Sequence, residues 1–131
     1  MAYRIAATAK HLVRTMSTAA APAKYEFLVI VPDKPGTLQK RLEVRATHLA
    51  NVKPQVENGT YKMGGAVLNS VPKGADPSTF DFHGSSFVAL AESKEAVLEQ
   101  LKDDVYVTNG VWDLEKAQVF PFLCAFRTAK E

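Results

Sequence analysis

The chain has 131 residues, 47% of them apolar and 23% charged, with a formal net charge of +2 at pH 7. That length suits one domain around a single core and excludes two. Arg4, Lys10 and Arg14 carry the whole basic excess, since the charge without these three cations is −1; this argues against a nucleic-acid partner, and no apolar run approaches the roughly 20 residues that span a membrane.

Residues 1–23 contain no acid, and the first carboxylate is Glu26. On a helical projection Arg4, Lys10, His11 and Arg14 gather opposite Ile5, Ala9, Leu12 and Met16. An amphipathic, acid-free, arginine-bearing leader predicts a mitochondrial presequence, with import into the matrix and cleavage near residues 15–20. A disordered Ala-rich tail and a cytosolic form that starts at Met16 are the alternatives. The folded domain is expected over 24–131.

"KYEFLVIV" is rich in strand formers and runs into the turn residues of "PDKPG", which predicts strand 1 over 24–31. Thr37 can cap a helix whose apolar residues recur at Leu38, Leu42, Leu49, Val52 and Val56, a helical period with an interruption near Pro54. Asn58-Gly59 closes it. "TYKMGGAVL" reads as strand 2, a polar loop follows, and "SSFVALAE" is strand 3. Ser93 is placed to cap "KEAVLEQLK", with Val97, Leu98 and Leu101 facing inward. "DDVYVTNGVWDLE" has no clear period, and "KAQVFPFLCAF" is the last strand. Pro121 within it lacks a backbone donor, so this strand belongs at an edge or carries a bulge.

The order βαββαβ is one copy of the ferredoxin-like, split-βαβ arrangement, an α+β fold. Two helices cover only one face of a four-stranded sheet. The last strand is apolar on both sides, with Phe120, Phe122 and Phe126 against Val119, Leu123 and Ala125, so its second face also demands burial. A homodimer packed sheet to sheet is the expected solution. The single cysteine, Cys124, excludes an intrachain disulfide and a cysteine zinc cage, and is expected to be a buried, inert thiol. The histidines at 11, 48 and 83 have no metal-ligand spacing, so neither a metal nor a cofactor is expected.

Chemistry-bearing residues fall in three places. On the first helix Arg45 lies in the middle of the leucine stripe, with His48 about 80° to one side. A buried guanidinium cannot lose its charge, so Arg45 must reach a carboxylate, a bound anion or water at the helix edge. Asp103 and Asp104 end the second helix, where acids oppose the macrodipole. A local rule broken in this way suggests a tertiary partner, His48 or Arg45. Gly64 and Gly65 in strand 2 mark a bulge or a close ligand approach. His83-Gly84-Ser85-Ser86 reads as a plain loop-to-strand junction.

These pieces together resemble the YCII-related (YciI-like) proteins of the dimeric α/β-barrel superfamily. The resemblance runs from Tyr25 to Phe126 and rests on "PDKPG", "RATHL", "GG", "S..EAV", "DDVY", "GVW" and "VFPF" in that order, and the chain looks especially like the fungal members with "GVWDLEKAQVFPF" near the end. It implies a ferredoxin-like protomer, a dimeric α/β barrel, and a cleft holding a helix histidine and an aspartate, which fall here on His48 and Asp104. The family's Asp-Pro-Tyr is here Asp104-Val105-Tyr106, which leaves the carboxylate in place on a less rigid backbone. One related enzyme class removes chloride from chlorinated hydroxyquinols, and muconolactone isomerase shares the superfamily architecture.

A histidine oriented by a carboxylate can move protons near neutral pH. The expectation is thus a cofactor-independent lyase or isomerase acting on a small oxygenated cyclic or aromatic molecule. His48 would be the acid/base, Asp104 its orienter and Arg45 an anion holder, with Gly64, Gly65, Tyr106 and Trp112 shaping the pocket. The competing expectation is a non-catalytic small-molecule-binding or structural homodimer, in which the same pair fixes the helix to the last loop.

Overall fold

The computed structural model describes residues 22–131; the leader expected over 1–23 lies outside them but for its last two residues. β1 (Tyr25–Pro32) leads to helix α1 (Leu38–Glu57), then β2 (Tyr61–Leu68), β3 (Phe82–Ala91), helix α2 (Lys94–Leu101), the short helix α3 (Val105–Thr108) and β4 (Gln118–Pro121). The strands form one antiparallel sheet in the order β2-β3-β1-β4. This is the ferredoxin-like α+β arrangement, with α3 as an addition before the last strand.

Period-two alternation places Phe27, Val29 and Val31 of β1 on one face, where they are buried beside Phe87, Ala89 and Ala91 of β3. Val97 and Leu101 of α2, with Tyr106, Val111 and Trp112, close this core. Each valine, leucine and phenylalanine among them contributes roughly 1.5–3 kcal/mol by leaving water. The Ser93 hydroxyl accepts the Ala96 N–H and starts α2 as expected.

The opposite face carries an apolar row across all four strands. Met63, Val88, Leu28 and Phe120 are paired in register, and paired residues point to the same side. At its ends Met63 is 57% and Phe120 46% exposed.

Several local expectations are corrected. α1 is continuous to Glu57 with Pro54 inside its last turn, where the proline costs the one helical donor that would meet the Ala50 carbonyl. Thr37 occupies the N-cap position, but its hydroxyl donates to the Lys34 carbonyl rather than capping. β3 begins at Phe82, so His83-Gly84-Ser85 lie in the strand and not before it. β4 ends at Pro121 on the sheet edge; only the Phe122 N–H still bonds to β1, at the Glu26 carbonyl. Leu123 and Phe126 are therefore 94% and 87% exposed. Cys124 lies beyond the strand and is half-buried, its thiol directed at the Phe126 carbonyl.

The largest correction concerns α1. The arginine it buries is Arg41, 4% exposed, whereas Arg45 is exposed and Leu38 and Leu49 are 37% and 46% exposed. The helix touches β2 only sparsely and rests mainly on α3 and on the Pro77–Thr79 turn. Its leucine and valine stripe consequently borders open space, and the packed face is the neighbouring one with Arg41, Val44 and His48.

Candidate functional site

The space between α1 and the β2–β3 half of the sheet is a cleft of about 1050 Å³. Arg41, Arg45 and His48 line it from the helix, and Tyr61, Gly64, Ser85 and Phe87 from the sheet. Asp104, Tyr106 and Trp112 close its floor, while Pro77, Phe80 and the tail residues Arg127 and Thr128 reach its mouth.

His48 sits two helical turns after Arg41, on the same side of α1. Its Nδ1 donates to the Asp104 carboxylate at 2.9 Å from Oδ1 and 3.0 Å from Oδ2. A carboxylate only accepts, so Nδ1 carries a proton, and in the neutral imidazole Nε2 then keeps its lone pair. Nε2 has no hydrogen-bond partner among the described residues. The imidazole stacks on Tyr106 at 4.0 Å between centroids and meets Trp112 edge-on at 5.5 Å.

Asp104 is held in turn by its own backbone. α2 stops at Leu101, and Asp104 starts α3 by accepting the Tyr106 N–H at 2.8 Å. The two acids thus do not share one unfavourable position at a helix end. Asp103 is exposed, and Asp104 is the N-cap of the next helix, where a carboxylate is favoured. Gly110, at φ +71°, turns the chain so that the Val111 and Trp112 N–H groups both reach the Tyr106 carbonyl. Asp33 pairs with Trp112 in an isolated bridge, and Asp113 N–H bonds to Pro32, which fixes the Trp112 segment to the end of β1.

A second polar cluster lies deeper. Arg41 Nη1 donates to both Asp33 oxygens at 2.7 and 2.9 Å, and Nη2 donates to the Ser85 hydroxyl at 2.8 Å and to the Gly84 carbonyl at 3.4 Å. Trp112 Nε1 donates to the same Ser85 oxygen at 3.1 Å. The guanidinium lies over the rings of Phe82 and Tyr106, 4.7 and 4.8 Å from their centroids. Tyr106 is therefore sandwiched between Arg41 and His48. Burial pushes the Asp33 carboxyl above the usual carboxylate range, and Arg41 opposes that push without cancelling it. Burial likewise raises the phenols of Tyr61 and Tyr106, helped by the Asp104 charge; at Tyr106 the two arginines pull the other way.

Of the residues singled out from sequence, His48, Asp104, Tyr106 and Trp112 meet in direct contact. Arg45 borders the cleft without an ion-pair partner among the described residues, reaching the water at its edge. Gly64 lies on the helix-facing side of β2 with its partner Phe87, and a methyl there would meet Phe87 Cβ at 3.3 Å. Gly65 pairs with Ser86 on the opposite side of the strand and also lines the cleft, with nothing within 4 Å of an added Cβ. Sequence reasoning missed Arg41, Asp33, Ser85 and Tyr61. Among the described residues no three His, Cys, Asp or Glu gather as metal ligands, and no helix is long and apolar enough to cross a membrane.

The sequence pattern of the YCII-related domain matches residues 25–123. The chain is 35% identical over 105 residues to aspercryptin biosynthesis cluster protein B of Emericella nidulans, spanning 80% of this chain and 67% of that one. It is 32% identical over 97 residues to fusaric acid biosynthesis protein 2 of Gibberella fujikuroi, spanning 74% and 91%. Among solved structures it is similar to the 5-chloro-2-hydroxyhydroquinone dehydrochlorinase of Burkholderia phenoliruptrix in complex with 2,5-dihydroxybenzoquinone. That match has a TM-score of 0.62 and 28% identity, and covers 75% of this chain and 93% of the other. The chain belongs to the YCII-related domain family.

Proposed function

We propose that the protein is a cofactor-independent lyase or isomerase that moves a proton on a small oxygenated cyclic or aromatic compound. The observation that carries this reading is His48, its Nδ1 held by Asp104 and its Nε2 without a partner among the described residues beside a mainly apolar cleft. A base held in one tautomer and orientation is what general acid–base catalysis requires. Arg45 at the cleft wall adds positive charge where an anionic or enolic oxygen would develop. The relative that removes chloride from a hydroxyquinol, solved with a dihydroxyquinone bound, supports the choice of substrate class.

The test is chloride release from 5-chloro-2-hydroxyhydroquinone, together with deuterium exchange from solvent into hydroxyquinones, for the unaltered protein and His48→Ala. Release or exchange that falls about 100-fold or more in the variant supports the reading, in line with the usual contribution of a positioned acid/base. Equal rates in the two proteins overturn it.

The packing of His48 between Tyr106 and Trp112 favours a second reading, a ligand-binding dimer without turnover. Under it His48→Ala shifts melting temperature and ligand affinity, and no substrate of either kind is turned over. In both readings a second copy covers the apolar row Met63–Val88–Leu28–Phe120. Light scattering at micromolar concentration then gives twice the chain mass, and Phe120→Glu gives the mass of one chain.

A further inference from the structure

Ser85 is 6% exposed and lines the cleft. Its oxygen accepts from Arg41 Nη2 at 2.8 Å and from Trp112 Nε1 at 3.1 Å. A hydroxyl has two acceptor lone pairs and one hydrogen, so both lone pairs are used. Neither partner can reverse its role, because guanidinium and indole N–H groups are donors only. The hydrogen must therefore be given elsewhere, and no atom of the described residues accepts it. A buried donor left unmet is costly, which makes this hydrogen a recognition element facing the cleft.

We propose that Ser85 is a specificity-determining residue that donates to a carbonyl or anionic oxygen of the substrate, and that the substrate is a conjugated hydroxy-carbonyl compound. The proposal rests on the function read above and adds the class of molecule. Two polarities in one cleft define that class. Ser85 can only donate, so an ammonium or another donor is rejected there. In the neutral imidazole His48 Nε2 accepts while Nδ1–H is held by Asp104, so an acidic O–H or C–H belongs at that point. When Nε2 takes the proton, the electron pair left behind moves through the conjugated system to the carbonyl oxygen, forming an enolate at Ser85. Return of the proton to a different atom of that system completes an isomerisation. Donation from the charged Arg41 into Oγ polarises the Ser85 O–H and strengthens it toward the developing charge.

The experiment measures binding of 3-hydroxyacetophenone and 3-ethylphenol, which differ by one carbonyl oxygen, by calorimetry or ligand NMR. Unaltered protein, Ser85→Ala, Ser85→Cys and His48→Ala are compared. The ketone should lose about 10-fold in affinity in Ser85→Ala while the ethyl compound changes little. Ser85→Cys keeps a side chain of similar size with a weak S–H donor, so it should fold and should also lose the preference for the ketone. His48→Ala should weaken both probes. Equal losses for both probes in the Ser85 variants mean that the residue only packs Arg41 and Trp112, which overturns the proposal and leaves the proposed function intact. Binding of neither probe to the unaltered protein overturns both.

Discussion

His48 and Asp104, 56 residues apart, face each other so that one ring nitrogen meets both carboxylate oxygens within 3.0 Å. The same carboxylate caps α3 through the Tyr106 N–H, so folding of the last loop and alignment of the imidazole are one event. The tautomer is the direct consequence. In ¹⁵N NMR at mildly alkaline pH, His48 should carry its proton on Nδ1. Asp104→Asn should lose that preference while its side-chain oxygen still caps α3, and Asp104→Ala should lose both the preference and about 1 kcal/mol of stability from the cap alone. A proton on Nε2 in the unaltered protein would sink the orientation argument.

Arg41 and Asp33 form the most deeply buried ion pair described, with side chains 5% and 8% exposed. Removing one partner strands the other's charge, a loss of about 3–5 kcal/mol. Arg41→Met and Asp33→Asn should therefore lower the urea midpoint of unfolding strongly. Arg41→Lys should rescue little, because one ammonium cannot reproduce the fork that reaches Asp33, Ser85 and Gly84 while stacking on two rings. Unfolding midpoints within experimental error of the unaltered protein would show that the cluster is solvated in solution.

The contrast between these two pairs marks what was legible in the sequence. Sequence singles out Asp104 as an acid that breaks a local rule at a helix end and needs a tertiary partner; in the fold it is the favoured N-cap of α3, and the contact with His48 exists although no rule is broken there. Arg41 broke no visible rule. The helical projection was centred on Leu38, Leu42 and Leu49, on the premise that leucines face a packed core. In the fold Leu49 borders the cleft and Leu38 is more than a third exposed, so the buried face is rotated toward Arg41 and His48. The sequence of strands and helices along the chain is readable from periodicity and turn residues, whereas the end of β4 is not. Alternating apolar residues continue to Phe126, but alternation registers a need for apolar surroundings and says nothing about which backbone is there to pair. Ser85 was hidden for a simpler reason, since its meaning depends on two donors brought from α1 and from the loop after α3.

Tyr61 and Tyr106 give a pH dependence with a definite sign. Both phenols are raised by burial above the ordinary value of 10.0. In the interval between the unfolded and folded values the native state holds more protons than the unfolded chain, so stability falls as pH rises. The contribution is complete below the unfolded value and is lost as pH climbs through the folded one. Thermal melts between about pH 9 and pH 11 should show a decline that is shallower in the Tyr61→Phe/Tyr106→Phe double variant. Parallel declines in the two proteins would assign the alkaline loss to other groups.

Gly84 and Gly65 offer a last comparison, between two glycines of neighbouring strands. A Cβ at Gly84 would lie 2.1 Å from the Val31 carbonyl oxygen and 2.7 Å from Pro32 Cα, both backbone atoms that cannot rotate away. At Gly65 an added Cβ meets nothing within 4 Å. Gly84→Ala must push β1 away from β3 at the point where Arg41 meets the Gly84 carbonyl and Asp33 bonds to His83. The cost should reach about 3 kcal/mol, at the upper end for overpacking. Gly65→Ala should be neutral to slightly stabilising, by lowering the entropy of the unfolded chain. Because the displaced strand end also carries Asp33, Gly84→Ala should further lower affinity for any ligand seated at Ser85, and Gly65→Ala should not. Denaturation midpoints and probe affinities of the two variants check both halves, and equal behaviour of the two alanines would refute the close approach of β1 to β3.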